Sequence, residues 1–133
     1  MPAIPYSNFI DLDIPDAAPA GVNTTITLPA TTITAAADLK VRINARHSWV
    51  GDLIFTLTSP CGTTFLFDRP GVPALTFGSS ANLGTSNATT PPPDVYTFDL
   101  AAATVIPETA PGTGFIPGGS YRPSDVGGAA HNW

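Results

Sequence analysis

The chain has 133 residues, enough for one domain with a real core, and only 11% of them are charged, less than half the roughly 25% typical of soluble domains. Its net charge of −5 and its five Lys and Arg exclude the clustered basic footprint that nucleic-acid phosphates require. Its apolar runs fall short of the roughly 18 residues that span a bilayer.

Thr, Ser and Asn supply the polarity, and with 15 Pro and 12 Gly they suit pleated sheets and turns better than helices. The N-terminus shows neither the charged region nor the apolar region of a signal peptide, so export would use an address that is removed or carried on a larger precursor. The single cysteine, Cys61, allows no internal disulfide.

In chain order, residues 1–20 carry Pro2, Pro5, Pro15 and Pro19 among Asp11, Asp13 and Asp16, and read as an extended arm. The arm is assigned to residues 1–13 and the domain to residues 14–133. Residues 24–28 form the first predicted strand. The clearest period of two lies in residues 39–47, where Leu39, Val41, Ile43 and Ala45 alternate with Lys40, Arg42, Asn44 and Arg46. A second alternating run follows from 52 to 59, with Leu53, Phe55 and Leu57 on one face. These two runs are expected to pair as an antiparallel hairpin.

Pro60-Cys61-Gly62 breaks the chain, and residues 63–67 resume as a strand, completing an expected three-stranded meander. Residues 68–93 read as a long loop, punctuated by Arg69-Pro70-Gly71, Gly78-Ser79-Ser80 and Pro91-Pro92-Pro93; such excursions are usually functional or poorly ordered. Alternation returns at 95–100, with Tyr96, Phe98 and Leu100 opposite Val95, Thr97 and Asp99. No segment offers an amphipathic helix.

The segment His47-Ser48-Trp49-Val50-Gly51-Asp52-Leu53, followed by Leu57-Thr58-Ser59-Pro60 and then Gly62-Thr63, resembles the signature of the P domain (P/Homo B domain) of subtilisin-like proprotein convertases. Ile14-Pro15-Asp16, Leu66-Phe67-Asp68-Arg69-Pro70-Gly71 and Pro117-Gly118-Gly119-Ser120-Tyr121-Arg122-Pro123 extend the likeness over most of the chain from about Asp13. The resemblance implies an antiparallel jelly-roll-like β-sandwich of the galactose-binding-like kind. It also implies a secreted or cell-surface module that supports a serine endopeptidase domain, or another secreted catalytic domain, without contributing a catalytic residue. The family continues into an Asn-Gly-x-Trp-x-Leu strand and a final strand. This chain stops at His131-Asn132-Trp133, so the sandwich is expected to be incomplete by roughly 15 to 20 residues.

The residues themselves offer little catalytic chemistry. His47, Ser48 and Asp52 lie on one turn, but neighbouring positions on an extended chain point to opposite sides, and no Gly-x-Ser-x-Gly elbow is present. His47 is expected to anchor the turn, Trp49 to be buried or to anchor a neighbouring domain, and Gly51 to serve backbone geometry. Leu53, Ser59, Pro60 and Gly62 complete the structural signature. Calcium is the candidate cofactor: Asp11, Asp13 and Asp16 cluster in the arm, Asp52 and Asp68 sit at strand ends, and loops can supply further oxygens. Zinc lacks the ligands. Asn23 and Asn87 head glycosylation sequons expected by chance in a Thr-rich chain.

The leading expectation is therefore a non-catalytic accessory domain beside a proteolytic partner. The alternative is a free-standing extracellular subunit that joins copies of itself by strand exchange into a filament or surface layer. A third reading is a lectin-like module binding glycans through Trp49 or Tyr121.

Overall fold

Where apolar and polar residues alternate, the chain forms strands, because a pleated backbone sends successive side chains to opposite faces. The computed structural model describes residues 3–29, 33, 35–84 and 94–133. The chain divides into two compact units, Met1–Thr32 and Ile33–Trp133.

In the first unit residues 3–29 belong to no strand, with turns at residues 16–17 and 19–20. The chain doubles back through a turn in which the Gly21 amide donates to the Ala18 carbonyl at 2.8 Å. Asn8 then reaches across, its Nδ2 donating to Thr24 Oγ1 at 2.7 Å and to the Thr25 carbonyl at 3.1 Å. The expected strand at 24–28 is not formed: among the described residues no backbone ladder joins them to a neighbour. Extended conformation becomes a strand only when its amides and carbonyls find a partner chain.

Among the described residues the second unit holds seven strands, two 3₁₀ turns and no α-helix. The strands are β1 (Val41–Asn44), β2 (Ile54–Ser59), β3 (Gly62–Asp68), β4 (Asn82–Leu83), β5 (Val95–Phe98), β6 (Phe115–Ile116) and β7 (Gly119–Tyr121). They assemble as β1-β5-β7, β2-β3 and β4-β6 around one core. This is the all-β, sandwich-type architecture expected from the alternating pattern.

Two details of the pairing depart from expectation. β1 does not pair with β2; it lies antiparallel to β5, with Val41 opposite Phe98 and Asn44 opposite Val95. The meander therefore reduces to the β2-β3 hairpin, whose connection is Pro60 and Cys61. Nor are the sheets purely antiparallel, since β4 with β6 and β5 with β7 run parallel. The 3₁₀ turn Val50–Asp52 explains the first departure, because it breaks the extended chain between β1 and β2 and redirects it into another sheet.

The β2-β3 register shifts between Phe55 and Thr56: Phe55 opposes Phe67 and Thr56 opposes Phe65, leaving Leu66 as a bulged extra residue. The bulge lets two consecutive side chains, Leu66 and Phe67, both face inward. Phe67 lies 5.0 Å from Phe55 and 6.0 Å from Phe98, so one line of aromatic rings joins the hairpin to the β1-β5-β7 sheet. Tyr96 is fully buried and its hydroxyl donates to the Ile116 carbonyl at 2.7 Å, tying that sheet to β6.

The end of the chain is stitched to the same core. His131 donates its amide to the Pro123 carbonyl, and its Nε2 lies 3.0 Å from the Phe65 carbonyl. The Trp133 indole donates to the Ala36 carbonyl at 3.0 Å.

Candidate functional site

The signature turn and the loop that follows β3 form one body. Residues 47–51 run beside residues 79–83: the His47 and Leu83 amides each donate to the other's carbonyl, Val50 donates to Ala81, and Gly51 donates to Ser79. Ser79 in turn donates to the Pro70 carbonyl at 2.6 Å, and the Arg69 amide donates to Leu53. The Arg69 side chain closes the bundle, its Nε donating to the Gly51 carbonyl at 3.2 Å.

Three backbone segments cross here at distances only glycine allows. A Cβ on Gly51 would lie 2.6 Å from the Ser79 nitrogen, one on Gly71 2.5 Å from the same nitrogen, and one on Gly78 2.6 Å from the Gly51 Cα. Real Cβ atoms are not found so close to backbone. Gly71 and Gly78 also hold φ of +92° and +69°, a region disfavoured for every other residue.

What the crossing displays is apolar. The Trp49 indole donates to the Phe77 carbonyl at 2.9 Å, so the Trp49 side chain and the tip of the loop are held together. Trp49 remains 38% exposed although its N–H is satisfied, so of the two expectations for it, burial is not met. Leu75 is 41% and Phe77 75% exposed on the same tip. Large exposed aromatic and aliphatic side chains on a rigid support are what a protein-docking surface needs, since no ordering cost is added on contact.

Glu108 braces the far side, its Oε2 accepting the Gly71 amide at 2.6 Å. Burial pushes its carboxyl above the ordinary value, with the Gly71 hydrogen bond acting in the opposite sense. A raised folded pKa means that stability is fully present below the unfolded value and is lost as pH rises through the folded one. Glu108→Gln keeps an oxygen for the Gly71 amide and carries no charge. Urea melts at stepped pH should therefore show the variant gaining on the native chain as pH rises from the acid range to neutrality; parallel curves would contradict this assignment.

The other residues singled out in the sequence fall as follows. His47 Nδ1 lies 3.1 Å from the Trp49 amide, which it accepts when Nε2 carries the proton, and 2.9 Å from the Trp49 carbonyl. No hydrogen bond joins Ser48 to His47 or to Asp52. Gly51 and Leu53 are buried within the crossing, and Asp52 is exposed. Ser59 Oγ accepts the Cys61 amide at 3.2 Å at the hairpin tip, beside Pro60 and Gly62, the latter at φ +145°. Cys61 is exposed and free.

Asp11, Asp13 and Asp16 are exposed in the first unit, whereas Asp52 and Asp68 belong to the second. Among the described residues no three His, Cys, Asp or Glu side chains are grouped as metal ligands. Asn87 and Pro91-Pro92-Pro93 lie outside the described residues. The part that sequence reasoning missed is the Leu75–Phe77 tip; its signal was the pair of loop glycines flanking it, Gly71 and Gly78.

Comparison with known proteins gives one informative likeness. The chain is similar to leupeptin-inactivating enzyme 1 of Streptomyces exfoliatus, 36% identical over 83 residues. The match covers 62% of this chain but 18% of that enzyme, so the chain corresponds to less than a fifth of its curated relative. No family model matches the chain, and no solved structure does. Among the described residues no helix is long and apolar enough to cross a membrane.

Proposed function

We propose that this chain is a P-domain-like accessory module of a secreted proteolytic enzyme, and that it docks on its catalytic neighbour through Trp49, Leu75 and Phe77. The observation that carries the reading is the rigid, apolar tip held over the glycine crossing, on a chain whose likeness to an enzyme is confined to a small part of that enzyme. In this reading the module contributes contact area and stability, and the reactive groups belong to the neighbour. His47, Ser48 and Asp52 act as turn architecture.

The flanking coding sequence is the first test: a hydrolase domain in the same reading frame supports the proposal, and a frame without one sinks it. Within such a precursor, Phe77→Asp places a charge in the contact. It is expected to shorten the thermal half-life of the hydrolase activity about tenfold, in line with a central interface residue worth more than about 1 kcal/mol. An unchanged half-life would remove Phe77 from the interface.

A further inference from the structure

Residues 10–14 alternate strictly, and residues 4–9 follow the same period except at Asn8 and Phe9. Ile4, Tyr6, Ile10, Leu12 and Ile14 occupy even positions with Asn8, while Asp11 and Asp13 share the odd face with Ser7 and Phe9. From Tyr6 to Ile14 there is no proline, so nine consecutive residues can offer amides and carbonyls to a neighbouring strand. Among the described residues they join no ladder, and every one of the large even-position side chains is exposed, from Ile4 at 68% to Ile14 at 36%. Residues 1–32 contain three Asp and no basic residue.

The complementary pattern lies on β1. Among the described residues it is the terminal strand of its sheet, paired with β5 on one side. Val41 and Ile43 turn toward the core and pack against it, while Lys40, Arg42 and Arg46 occupy the outward positions, three of the five basic residues in the chain. Lys40 and Arg46 are each paired with an aspartate, Asp99 at 2.7 Å and Asp94 at 3.0 Å. Arg42, between them and exposed, stands opposite Thr97 and has no carboxylate partner among the described residues.

We infer that residues 6–14 of one copy add as a strand to the free edge of β1 in a second copy. In a ladder with strands about 4.8 Å apart, one parity of pairing satisfies both faces. Ile10, Leu12 and Ile14 extend the apolar face of Val41 and Ile43, and Asp11 and Asp13 fall on the face that carries Arg42. A slip of one residue would put the aspartates against the core, so that parity is sharply specified. Because donor and acceptor surfaces differ, the contact either closes by reciprocal exchange between two copies or runs head to tail through several.

The test is sedimentation velocity of the full chain across a wide concentration range, in reducing buffer so that Cys61 forms no link. The expected result is assembly that grows with concentration and weakens with added salt. Ile10→Asp with Leu12→Asp should abolish it. Arg42→Asp alone, or Asp11→Arg with Asp13→Arg, should each weaken association about tenfold by setting like charges on facing strands, and combining them should restore most of the loss. Near-ultraviolet circular dichroism, reporting Trp49 and Trp133 in the second unit, should be unchanged throughout. A monomer at every concentration, or a combined variant no better than its parts, would overturn the inference.

Discussion

Replacing Gly78 with alanine is expected to cost about 3 kcal/mol, the combined effect of overpacking and a disfavoured backbone conformation. The new Cβ would meet the Gly51 Cα at 2.6 Å, the Pro70 carbonyl oxygen at 2.9 Å and the Gly51 carbonyl oxygen at 3.0 Å. All three are backbone atoms, so no side chain can rotate away, and relief requires the signature turn to separate from the loop. Separation would stretch the Gly51-to-Ser79 and Ser79-to-Pro70 hydrogen bonds. The melting temperature should fall by about 15 °C for a unit of this size. Gly112 is the control: nothing lies within 4 Å of its added Cβ, and Gly112→Ala should stay within about 0.5 kcal/mol of the native chain. Equal melting temperatures for the two variants would show that the crossing is looser than its geometry implies.

Phe67→Ala should cost about 4 kcal/mol, because it removes a buried ring and leaves a cavity between two others. Phe67 is fully buried and lies between Phe55 and Phe98, the ring contacts that hold the β2-β3 hairpin against β5. Urea unfolding followed by tryptophan fluorescence measures the loss as a lower midpoint at an unchanged slope. Phe77→Ala removes a ring of the same size that is 75% exposed, and should change the unfolding free energy by no more than about 0.5 kcal/mol. The contrast separates rings that hold the fold from a ring available to a partner. A large loss from Phe77→Ala would instead make the tip structural.

The core depends on side-chain volume and the surface loop on the lack of it. A loop fixed by glycine crossings can display Leu75 and Phe77 without the ordering penalty a mobile loop incurs on binding. The arm works the other way, since its apolar face gains a backbone partner only through association.

Much of the fold was legible in the chain itself. The alternation of Leu53, Phe55 and Leu57 placed their side chains inward, Tyr96 and Phe98 were assigned to one face and are both fully buried, and Pro60-Cys61-Gly62 marked the hairpin turn that forms. Period two reports which face of a strand is dry, because each side chain meets water or core according to its own chemistry. It carries no information about which strand lies alongside, since backbone amides and carbonyls are the same at every residue. The sequence therefore determined an all-β chain with its inward residues. Tertiary structure alone decided that β1 pairs with β5, that two ladders run parallel, and that residues 24–28 join no ladder. It also decided which glycines are indispensable, because a forbidden Cβ exists only where two distant segments, such as those at Gly51 and Gly78, have been brought into contact.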